Sequence, residues 1–173
     1  RRSDHDRRAD SGAVMTDFLQ KTGTNGFLTA PFNMMSTELN TLANNASAVS
    51  SVGGTSGVFT QTSWGSGIWG VAHFLAGGTF TPGVGGYLAA WFLYSPDGGT
   101  SFEKVVSGTD MARPPDFTVP LYNSSHAAND VVQSSGIIRM PWWSTKLFVV
   151  NHAGVSLPSS ANLIKLGSVA ISY

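Results

Sequence analysis

The chain of 173 residues contains no cysteine, which rules out disulfides and thiolate metal sites. Small secreted folds often depend on disulfides, so a secreted origin is disfavoured. Charge is scarce as well. Asp, Glu, Lys and Arg make up 12% of the chain, about half the usual share, and ten cations balance ten anions. No basic face is therefore available for nucleic acid. No apolar run approaches the roughly 18 residues of a membrane span, and no segment has the layout of a signal peptide.

The missing motifs bear on catalysis. His5, His73, His126 and His152 show none of the short spacings that hold a metal. There is no G-x-S-x-G nucleophile elbow. The glycine-rich stretch at 83–86 lacks the phosphate-loop pattern and reads as a turn. Beyond residue 14 the carboxylates are Asp17, Glu38, Asp97, Glu103, Asp110, Asp116 and Asp130. Asp110 and Asp116 flank Arg113-Pro114-Pro115 and read as solvated loop charges, not as the facing acids that glycoside hydrolysis needs. The expectation is a protein that is not an enzyme, takes no cofactor or metal, and binds neither nucleic acid nor membrane.

What is present is small, polar and β-forming. Residues 1–14 hold four Arg and three Asp, seven of the twenty formal charges, and read with the turn-rich stretch 16–33 as an extended N-terminal arm and connector. Residues 34–50 read as a helix, because Met35, Leu39, Leu42, Ala46 and Val49 recur at spacings of four and three. That face suits packing on its own domain or a contact around an oligomer axis. Residues 51–173 change to strand and turn. Strand-like runs at 58–63, 69–75, 87–94, 100–106, 117–122, 136–140, 146–151 and 163–173 are separated by Gly, Pro, Ser and Asn clusters. The fold class is all-β, an antiparallel β-sandwich or barrel.

Two local features stand out. In the segment 87–106, Ser95, Asp97, Gly99 and Phe102 surround a Pro-Asp-Gly-Gly turn, where a short carboxylate can accept backbone N–H groups. This order resembles the S-x-D-x-G-x-x-[WF] box of sialidase-type propellers, but one copy in a short chain implies only a structural turn, expected to close a hairpin. One carboxylate is too few for a calcium shell. The second feature is Trp142-Trp143, after Arg139 and Pro141 at a turn. An exposed Trp there suits a subunit contact, leaving core packing and a sugar-stacking platform as alternatives.

Three blocks together, residues 27–43, 86–103 and 138–158, resemble small virion structural proteins of tailed bacteriophages, above all capsid decoration or cement proteins. The resemblance implies a jelly-roll-like sandwich, a homo-oligomer with a trimer favoured, and location in the virion. It also implies a partner in the major capsid protein or another virion protein. The contact elements expected are the arm, the helix face (Met35, Leu39, Leu42) and Trp142 with Trp143. The alternative is a carbohydrate-binding or host-recognition module of a phage tail fibre or spike.

Overall fold

The computed structural model describes residues 32–51, 57–60, 69–128 and 131–169. Nine strands run in chain order: β1 (Phe32–Met35), β2 (Ser47–Val49), β3 (Trp69–Leu75), β4 (Tyr87–Tyr94), β5 (Phe117–Pro120), β6 (Val131–Ser134), β7 (Ile138–Arg139), β8 (Thr145–His152) and β9 (Leu163–Val169). All pairings are antiparallel. One sheet has the order β1-β9-β3-β6, with β7 also on β3, and the other has the order β2-β8-β4-β5. β6 and β7 act as one interrupted strand. His73 lies opposite Ser134 and Trp69 opposite Arg139, while between them Ser135 donates its N–H to Ala72 O and accepts the Ala72 N–H on Oγ.

The core between the sheets follows the period of two. Ala72 and Phe74 of β3 and Ile164 and Leu166 of β9 meet Leu88, Ala90 and Phe92 of β4 and Leu147 and Val149 of β8. The opposite face of the second sheet is covered too. Ala89, Trp91 and Leu93 of β4, with Phe148 and Val150 of β8, form a second apolar cluster under Phe102, Val105 and Met111. The long β4–β5 connection thus folds back as an outer layer. Burial on both faces explains why β4 and β8 are continuous apolar runs where β3 alternates.

Residues 34–50, expected as a helix, are not one. They hold the end of β1, a single 3₁₀ turn (Thr37–Leu39) and β2, and carry the chain from one sheet to the other. Thr41 and Asn45 have φ of 57° and 60°, which no helix accommodates, and the Asn- and Ser-rich stretch favours turns over helix interior. The spacing of Met35, Leu39 and Leu42 serves the inter-sheet core, where all three are buried. They are therefore not exposed contact residues. The boundary expected at 33/34 is crossed by β1, and the expected arm lies outside the described residues apart from 32 and 33. Residues 100–106 also form no strand, so the segment 87–106 is not a hairpin: β4 pairs with β5 and β8.

Candidate functional site

Prolines shape the edge of β4. β4 and β5 stay in register only to Ala90 opposite Phe117, because Pro114 and Pro115 upstream have no N–H to continue a ladder. The free edge of Phe92 is satisfied by side chains instead, and that of Tyr94 by the backbone and side chain of Glu103. Phe92 N–H donates to Asp116 Oδ2 at 2.7 Å, and Arg113 Nη2 donates to Phe92 O at 2.7 Å. Arg113 Nη1 also donates to Asp116 Oδ2 at 2.8 Å, and Nη2 reaches Glu103 Oε2 at 3.3 Å. Tyr94 exchanges backbone and side-chain bonds with Glu103, and its ring lies 5.8 Å from the Arg113 guanidinium. Trp91 closes the arrangement by donating Nε1–H to Arg113 O at 3.0 Å. Asp116, expected as a solvated charge, is a built-in strand cap. Asp110 goes elsewhere, to His152 Nε2 at 2.8 Å, so the two acids serve different partners.

The Asp97 turn sits at the same end of β4. Asp97 Oδ1 accepts from Ser95 Oγ and from the N–H groups of Thr100 and Ser101 at 2.8–3.1 Å, and Oδ2 accepts from Ser101 Oγ. Gly99 donates its N–H to Ser95 Oγ at 2.6 Å. The φ values of 73° and 110° at Gly98 and Gly99 require glycine. The Ser101 hydroxyl and N–H, then the Ser95 hydroxyl, hold the Asp97 carboxyl well below the usual carboxylate range. Phe102 continues onto the outer apolar cluster, with Lys146 Nζ 4.9 Å from its ring. Ser95 itself donates its N–H to Ser144 O at 3.0 Å, which braces the turn that carries Trp142 and Trp143.

That turn leaves β7 on an alternating pattern. Ile138 and Met140 point inward and Arg139 outward. Met140 packs on Gly70, where an added Cβ would stand 2.5 Å from the Met140 sulfur. With Met140 and Pro141 buried, the next two residues are held outside: Trp142 is 51% and Trp143 64% exposed. They border a cleft of about 510 Å³ lined also by Tyr94, Asp116 and Arg139. The cleft joins the edge of one sheet to the end of the other. Half-burial, then the charge of Asp116, push the Tyr94 phenol up, so it remains a neutral hydroxyl donor at physiological pH. A second groove, of about 580 Å³, runs beside β5 and is lined mainly by Tyr87, Pro115, Pro120, Leu121 and the 62% exposed Tyr122.

Sequence reasoning singled out Trp142 and Trp143 but missed Tyr94, Arg139 and the role of Asp116. The proline pair before Asp116 was the available signal that a strand edge needed side-chain partners there. Among the described residues no group of three or more His, Asp or Glu is placed to hold a metal ion, and no helix is long and apolar enough to cross a membrane. No family model, curated protein or solved structure matches the chain. What the structure defines is an antiparallel, sandwich-like all-β domain with an aromatic, polar cleft at one end.

Proposed function

We propose that the chain is a non-enzymatic structural protein of a tailed-phage virion, a capsid decoration protein that stabilises the capsid through subunit contacts. One observation carries this reading. The order β1-β9-β3-β6 facing β2-β8-β4-β5, with β6 and β7 sharing one position, supports a jelly-roll-like reading of the sandwich, an architecture used by viral capsid and lectin domains. Fold alone does not assign function. The resemblance to decoration proteins supports the capsid side of that pair, and its three blocks reach into β1, β4 and β7–β8 of this sandwich. A charge-poor surface with an apolar groove at Tyr122 favours coverage by a neighbour. The chain works as a homo-oligomer, a trimer favoured, on the major capsid protein or another virion protein, each contact burying about 800 Å² per partner.

Sedimentation velocity of the protein and its co-sedimentation with cognate capsids test the reading. Oligomers and saturable decoration are expected, with Tyr122→Glu reducing decoration at least about tenfold, a loss of about 1.4 kcal/mol, and leaving the melting temperature unchanged. A monomer that leaves capsids bare would end it. A second reading, a carbohydrate-binding module of a tail fibre or spike, is favoured by the cleft at Trp142 and Trp143, since jelly rolls also serve as lectins.

A further inference from the structure

The cleft carries several hydrogen-bonding groups that the described residues do not engage. The indole N–H groups of Trp142 and Trp143, the Tyr94 hydroxyl and the Arg139 guanidinium make no hydrogen bond or ion pair with other described residues. Asp116 engages its neighbours through Oδ2 alone, with Phe92 N–H and Arg113. Two donors on one oxygen fix the carboxylate plane, so Oδ1 is left as a pre-positioned acceptor. The cleft thus offers four donors and one carboxylate oxygen beside two exposed indole faces. The charges of its lining cancel, Arg139 against Asp116, and the adjoining Arg113 is paired with Glu103 and Asp116. Its volume of about 510 Å³ falls in the range of small-ligand sites.

An extended peptide would need free backbone groups to pair with, and those of Phe92 and Tyr94 are already taken by Asp116, Arg113 and Glu103. A sugar ring needs none. It presents an apolar C–H face to an aromatic plane and hydroxyls that both donate and accept. We infer that this cleft is a binding site for neutral saccharides. A pyranose ring stacks on the Trp142–Trp143 face, one hydroxyl donates to Asp116 Oδ1, and a neighbouring one accepts from Arg139. The inference deepens the second of the two readings above and does not depend on capsid attachment.

The test is isothermal titration of the full chain with methyl glycosides of glucose, galactose, mannose and N-acetylglucosamine, and an array of neutral and acidic bacterial surface polysaccharides. Saturable binding to at least one neutral sugar or polysaccharide is expected, weakened about tenfold or more by Trp142→Ala or Trp143→Ala and also by Arg139→Gln. All three side chains are exposed, so melting temperatures should not move. The inference is overturned by no saturable binding, by binding restricted to acidic polysaccharides, or by affinities that ignore all three substitutions. It is equally overturned if Trp143→Ala abolishes capsid decoration in a protein that binds no saccharide. Decoration lost only in Tyr122→Glu, with sugar binding intact, separates the capsid reading from this one.

Discussion

Replacing Thr145 with valine should stabilise the protein. Thr145 opens β8 and is fully buried, and its Oγ1 has no hydrogen-bond partner. Its backbone is satisfied on one side by Phe59, with N–H and C=O bonds of 2.8 and 2.7 Å, and it lies opposite Tyr94 on the other. By the period of the strand its side chain shares the face of Leu147 and Val149, in the core between the sheets. A hydroxyl stripped of water and left unbonded there costs about 1–3 kcal/mol. Valine keeps the β-branch and the volume and exchanges the hydroxyl for a methyl that gains up to about 0.8 kcal/mol by burial. Since burial figures are upper bounds, the net gain should be about 1–2 kcal/mol. That corresponds to a rise of about 2–8 °C in Tm for a chain of this size. Urea unfolding should show a higher midpoint at an unchanged slope. Thr145→Ser, which keeps the hydroxyl and loses the methyl, should shift the midpoint the other way. A valine variant that is neutral or less stable would refute the reasoning, because it would mean that the hydroxyl is bonded in solution.

Asn151 is fully buried, donates Nδ2 to the carbonyls of Leu42 and Val155, and accepts the Ala153 N–H. Asn151→Ala leaves the Ala153 N–H and the Val155 carbonyl without a protein partner, while Leu42 O keeps the Leu157 N–H, and should cost at least about 2 kcal/mol in urea unfolding; a cost below about 1 kcal/mol would show that water replaces the lost bonds. The Asp97 carboxyl is held below its ordinary value of 3.8, so its contribution is complete above that pH and is lost as pH falls below it. Acid titration of the turn's amide signals should show this loss in the native protein and lack it in Asp97→Asn, whereas identical profiles would contradict the assignment.

How much was legible depended on which faces are covered. The β-forming residues of Trp69–Leu75 reported a strand directly, the apolar run of Tyr87–Tyr94 gave its boundaries, and the strand read at 146–151 extends one residue further at each end, to Thr145–His152. The third layer was not legible, because Phe102, Val105 and Met111 reach the outer cluster without regular periodicity. The helix reading failed for a related reason. A spacing of four and three describes a helical stripe, but here a strand, a 3₁₀ turn and a second strand bring the same residues to one core. The bulge between Asn33 and Met35 buries both Met34 and Met35 and erases the strand signal that would have competed. At the cleft, the turn with Trp142 and Trp143 could be read from Pro141, but Tyr94 and Asp116 come from a different sheet and join it only through topology.

The outer layer formed by the β4–β5 connection also dictates an order of assembly. Its apolar side has nothing to rest on until β4 and β8 have paired, because the surface it covers combines Trp91 and Leu93 of one strand with Phe148 and Val150 of the other. Its docking is therefore expected to follow that pairing and the folding barrier, with Arg113 tying it down through Glu103 and Asp116. Interactions made after that barrier govern how fast a protein comes apart and leave its folding rate nearly untouched. A connection between two strands is thus expected to weigh more on the lifetime of the folded domain than on its folding rate.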